Sequence, residues 1–112
     1  MVRFKKYIDK DVILKNFKNT DQLRTFGIVP RYVPDIPDEF EEFEFTTNFN
    51  KEIVSIGVAV QLGKIKRFML GIVNPADPDV IMALSKSQLE DFLTQKGEQL
   101  VRFLEYITQL EA

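Results

Sequence analysis

The side chains behind most metal and thiol chemistry are missing from this sequence: its 112 residues include no cysteine, no histidine and no tryptophan. Without cysteine there is no disulfide framework, which excludes the small scaffolds that depend on bridges. Without either residue the chain lacks the side chains that make most zinc, haem and thiolate sites. Only oxygen ligands remain, so a metal would have to be magnesium, manganese or calcium. The glycines at 27, 57, 63, 71 and 97 never cluster, which excludes a phosphate-cradling loop. Long apolar runs are lacking too. The longest, from Ile53 to Leu62, carries Ser55, Gly57 and Gln61 and is half the length of a membrane span. The basic start, Met1 to Tyr7, meets Asp9 and Asp11 before any signal-like apolar run. The expected setting is the cytoplasm, with no membrane partner.

What remains is enough for a core. Hydrophobic residues make up 45% of the chain, which excludes whole-chain disorder. The length is that of one domain, taken as 1–112. The net charge of −2 conceals blocks: +5 over residues 1–31, −6 over 32–52, +3 over 53–73 and −4 over 74–112. Such blocks either make opposed faces or lie side by side and neutralise each other. Usage of Lys, Asn, Phe and Ile resembles that of an AT-rich genome, such as a low-GC bacterium or its phage, and fixes no function.

The fold reading is α+β: a short N-terminal helical section (1–29), a proline-rich connector (30–38), a sheet (39–84) and a long C-terminal helix (85–111). The sheet is read as an antiparallel meander of three to four strands, with the helix packed on one face. In the N-terminal section a short strand over the first seven residues is one option. Asp9 would cap a first helix carrying Val12, Ile13 and Phe17. Asn19 with Gln22 forms a capping box for a second, which Gly27 ends. Pro30, Pro34 and Pro37 hold the connector extended. Phe43 and Phe45 alternate with polar residues as in a half-buried strand. After a turn at 48–51, two apolar strands flank Gly63-Lys64, read as a two-residue hairpin turn. Val80 to Leu84 reads as a short buried strand. Ser85 and Gln88 form a second capping box, opening a helix whose stripe includes Leu89, Phe92, Leu93, Leu100, Leu104 and Ile107.

The Gly63-Lys64 turn sets a register. It pairs Leu62 with Ile65, Val60 with Arg67, Val58 with Met69, Ile56 with Gly71 and Val54 with Val73 as the core face. The other face pairs Ala59 with Phe68, Gly57 with Leu70 and Ser55 with Ile72. Small residues there leave Phe68, Leu70 and Ile72 as an outward apolar row that needs a cover. The N-terminal section is one candidate, a partner or second copy the other. Phe103 and Tyr106 similarly widen the apolar surface of the last helix beyond one stripe.

Chemistry is thinly supported. The acidic cluster of Asp35, Asp38, Glu39, Glu41, Glu42 and Glu44 lacks the glycine and spacing of a calcium loop, and reads as a solvated edge that deters strand pairing. No serine has a base, and no two carboxylates have a reason to pair. No catalytic residue, metal or cofactor is expected. The functional expectation is a non-enzymatic interaction or regulatory module, self-associating or bound to a protein partner through Phe68, Leu70, Ile72, Phe103 and Tyr106. The alternative is a nucleic-acid-binding regulator. Its contacts would be Arg3, Lys5, Lys6, Lys10, Lys15 and Lys18, interleaved with Phe4, Tyr7 and Phe17. A mirror-image reading, carboxylates imitating phosphates, finds few acids for the purpose.

Overall fold

A computed structural model describes residues 2–108, with side chains from residue 4 onward. Five antiparallel strands form one meander in the order β1-β2-β3-β4-β5: Val29–Tyr32, Phe40–Phe49, Glu52–Gln61, Lys64–Asn74 and Asp77–Ala83. Two helices accompany them, α1 (Thr20–Thr25) and α2 (Lys86–Thr108), with 3₁₀ turns at Val2–Tyr7 and Leu14–Lys18. The fold is α+β. It has one strand more than the sequence suggested, because the proline connector begins as β1.

Local signals explain where the helices begin. At α2 both arms of the capping box form: Gln88 N donates to Ser85 Oγ at 3.1 Å and Ser85 N to Gln88 Oε1 at 2.9 Å. At α1, Gln22 N donates to Asn19 Oδ1 at 3.2 Å. Its end is a Schellman turn, with Gly27 at φ +72°, Gly27 N bonded to Arg24 O and Ile28 N to Leu23 O.

The first helix expected from Asp9 does not form. Asp9 sits at φ 65°, and residues 9–12 run alongside the start of β4: Asp9 N donates to Ile65 O, Ile65 N to Lys10 O and Val12 N to Gly63 O. Val2–Tyr7 is a 3₁₀ turn rather than a strand.

Alternation in β2 sends Phe43, Phe45, Thr47 and Phe49 to one face, where all four are buried. Cross-strand register aligns them with Val58, Ile56, Val54 and Glu52 of β3. Over this face lie α2 and the N-terminal turns. Phe17 stacks on Phe43 at 4.5 Å, Phe103 meets Phe45 edge-on at 4.9 Å, and Phe92 meets Phe49 at 5.2 Å. Such pairs add roughly 0.5–1.5 kcal/mol each beyond their area burial. Buried Asn16 ties the N-terminal turns to α2 by donating to Tyr106 O at 2.8 Å.

The β3–β4 hairpin departs from the expected register. Its turn residues are Leu62 and Gly63, at φ 52° and 78°, the type I′ signature of two positive φ values. Gln61 pairs with Lys64 and Val60 with Ile65; then Lys66 is bulged out and Ala59 pairs with Arg67. The earlier turn slips the pairing by two residues and the bulge returns one. A net slip of one exchanges the faces of β4. Phe68, Leu70 and Ile72 therefore stand opposite Val58, Ile56 and Val54, on the α2 side.

Candidate interaction surface

The five residues expected at an interface lie in or against the core. Phe68 and Leu70 pack half-buried against it, and Ile72 is buried. Phe103 is fully buried. Tyr106 is half-buried, accepts from Asn19 Nδ2 through its hydroxyl at 2.9 Å, and packs on Phe26 at 5.8 Å. Phe68 and Leu70 line a cavity of about 20 Å³ with Phe4, Ile56, Leu100 and Phe103. Its lining is wholly apolar, so it offers a water no partners. The cover of this row is α2 together with Phe4, so the N-terminal section contributes to it as expected, though on the opposite face.

The expected nucleic-acid contacts are spread over the N-terminal turns and the loop between them. Lys5, Lys6, Lys10, Lys15 and Lys18 are exposed, and the side chain of Arg3 lies outside the described residues. Lys18 pairs with Asp35 at 3.1 Å, and Lys6 lies over the Tyr7 ring at 5.3 Å. Two further basic residues are taken by this section's own acids: Lys64 by Asp11 at 2.8 Å and Lys66 by Asp9 at 2.6 Å. The hydrogen bond from Lys66, then its charge, holds the Asp9 carboxyl below the usual range. So the charge blocks partly neutralise each other.

Strand β5 has a different surface from the one its sequence implies. The apolar run beginning at Val80 reads as buried, yet all seven residues of β5 are exposed. Val80, Ile81 and Met82 show 42%, 40% and 47% of their surface. The reason is position: β5 is the last strand and pairs only with β4. Ile81 packs closely over Gly71, where an added Cβ would lie 2.3 Å from Ile81 Cγ2 and 3.0 Å from Met82 O. Met82 borders an open groove of about 520 Å³ with Ile53, Ile72, Val73 and Pro78. Other exposed apolar residues, such as Ile36 and Leu62, are isolated in sequence and need no explanation.

The two halves of β5 are unlike. The β4 pairing runs Gly71–Ala83, Ile72–Met82 and Val73–Ile81, then jumps to Asn74–Asp77, so residues 78–80 bulge. This bulged half carries Asp77, Pro78 and Asp79. Arg31 of β1 donates to Pro78 O and lies 3.7 Å from Asp79. Five strands laid flat would span about 19 Å, beyond an arginine's reach, so the sheet is coiled and its two edges are clasped. What stays open runs from Val80, the last bulged residue, to Ala83.

Among the described residues no group of three acids is placed to hold a metal ion, and no helix is long and apolar enough to cross a membrane. The chain matches no protein-family model, no curated protein and no solved structure.

Proposed function

We propose that this chain is a small, non-enzymatic, cytoplasmic interaction module that meets its partner along the open half of β5. The observation that carries the reading is the contiguous exposure of Val80, Ile81 and Met82 on an edge strand beside a groove that is largely apolar and rimmed by Lys51, Glu52 and Asn74. An edge offers unpaired backbone donors and acceptors, and an added strand satisfies them while alternate side chains enter flanking pockets. The non-enzymatic part rests on the missing histidine and cysteine. A tagged pull-down from host lysate, with and without nuclease, tests it. A protein partner that survives nuclease and is lost in Val80→Lys supports the reading; a partner indifferent to Val80→Lys sinks it.

One observation favours the second reading, a nucleic-acid-binding regulator. Lys5, Lys10 and Lys15 are exposed and have no acidic partner among the described residues. On that reading Lys5→Glu with Lys6→Glu weakens binding and flattens its salt dependence. An affinity unmoved by salt would count against it.

A further inference from the structure

Strand β4 has an open stretch of its own, on the edge turned away from β3. Residues 9–12 bond only to its start, through Ile65 and the Asp11–Lys64 bridge, and β5 pairs with it only from Gly71 onward. Between them Lys66 to Leu70 meet no strand among the described residues. That leaves about 17 Å of edge, on which Lys66 and Arg67 are exposed and Phe68, Met69 and Leu70 half-buried. The chain's own neighbours cannot fill it cheaply. Extending β5 would undo the Ser85–Gln88 capping box, and extending residues 9–12 backward would pull buried Tyr7 and Phe4 from the core.

The surroundings of this stretch are basic at one end and apolar at the other. Arg67 has no ion pair among the described residues, and Lys66 is held by Asp9. Lys5 and Lys6 are exposed on the turn between Phe4, which shares a cavity with Phe68 and Leu70, and Asp9, which is bonded to Ile65. The register turns one acid toward Arg67: Glu42, two strands away across Ala59. At the far end an open groove of about 220 Å³ is lined by Leu70, Ala83, Leu84 and Leu89.

These features discriminate between anionic partners. A strand edge presents alternating N–H and C=O groups, which an extended peptide matches and a phosphate backbone, offering acceptors, does not. Single-stranded nucleic acid would also need aromatic faces for its bases. The aromatics interleaved with the lysines cannot supply them, since Phe4, Tyr7 and Phe17 are 2%, 0% and 0% exposed.

We infer that the middle of the β4 edge receives a short extended segment of another protein, acidic where it meets Arg67, Lys5 and Lys6 and apolar where it reaches the groove at Leu70. This is a second docking surface, separate from the free edge of β5. So short a ladder binds weakly, with a dissociation constant of roughly millimolar order.

An NMR titration of the full chain with a short capped peptide of alternating glutamate and valine tests it. Three comparison probes are the same peptide with lysine for glutamate, the same peptide N-methylated throughout, and a single-stranded oligothymidylate of equal charge. The acidic peptide shifts the amide signals of Arg67 to Leu70 and slows their hydrogen exchange, and its binding weakens as salt is added. Arg67→Glu weakens it roughly fivefold. Lys5→Glu with Lys6→Glu does the same, and this arm stands even if Arg67→Glu fails to fold. Binding of the N-methylated peptide or the oligothymidylate as tight as that of the parent peptide would make the surface a general anion patch and overturn strand addition. So would signals that move at Val80 to Ala83 instead, or no shift at Arg67 to Leu70 with the peptide in large excess.

Discussion

At one edge of the sheet β1 runs for four residues, surrenders a backbone donor to Pro30 and has its next two side chains engaged elsewhere. Arg31 reaches Pro78 and Asp79, while Tyr32 shares a hydrogen bond with Glu41 that, with that carboxylate's charge, holds the phenol above its usual range. At the other edge β5 runs for seven residues; its acidic, proline-containing half is clasped by that same arginine, and its apolar half is bare. Both strands show apolar surface, Val29 and Tyr32 on β1 as well as Val80 to Met82 on β5. Exposure alone therefore does not separate them. What separates them is whether the backbone can accept another strand: a proline, a bulge and engaged side chains prevent it on β1 and on the first half of β5. Beyond the bulge, which ends at Val80, those devices stop.

The largest way to break this comparison is Leu70→Glu. If Leu70 belonged to an outer apolar row, a carboxylate there would be tolerated by the monomer. Under α2 and beside Phe4 and Phe103 it loses its packing and places a charge against an apolar cavity. We expect a loss of about 3 kcal/mol or more, read as a fall in the urea midpoint. A monomer of unchanged midpoint would mean that β4 pairs in the other register.

Gly71→Ala is smaller and more local. Its Cβ meets a β-branched side chain and a backbone carbonyl of β5, neither of which yields without moving the strand. The expected cost is about 1–3 kcal/mol. Hydrogen exchange should show it at Ile81 to Ala83 while Val29 to Tyr32 keep their protection. Equal loss at both edges would show that the clasp makes the two edges one cooperative unit.

The parts legible in the sequence are those governed by a few adjacent residues. Ser85 with Gln88 and Asn19 with Gln22 are short-range hydrogen-bonding devices, and both form. The alternation of β2 is equally local, because its outward positions, Glu42, Glu44 and Thr46, are unmistakably polar. The β4 register was not legible. Residues 68–73 are apolar on both faces, so hydrophobic alternation does not choose between registers. The choice fell to a leucine accepting a left-handed backbone and to a bulge at Lys66, neither of which leaves a mark in composition. The candidate surface was illegible for a related reason. Val80 to Leu84 has the same apolar composition whether central or at an edge, and only strand order decides. Asp9 failed as a helix cap because residues 9–12 found a stronger use, pairing with the first residues of β4, which β5 leaves uncovered.

That pairing gives the smallest and sharpest test. Residues 9–12 seal the start of β4 at Lys64 and Ile65 as β5 seals its end from Gly71 to Asn74, and the Lys66–Asp9 contact fastens the first seal. Because the Asp9 carboxyl is lowered from its ordinary 3.8 in the folded chain, its contribution is present above that value. It is lost as the pH falls through the lower folded value. Asp9→Asn keeps a residue that accepts the left-handed backbone and removes the charge. The variant should therefore be slightly less stable than the parent at neutral pH, with the gap closing as pH drops below about 4 and narrowing in high salt. Urea midpoints of the two proteins across that range measure it. Equal midpoints at every pH would assign the effect of Asp9 to its backbone bond with Ile65 alone, which the variant keeps. The seal over β4 would then be a strand pairing that needs no charge, as the one proposed for β5 needs none.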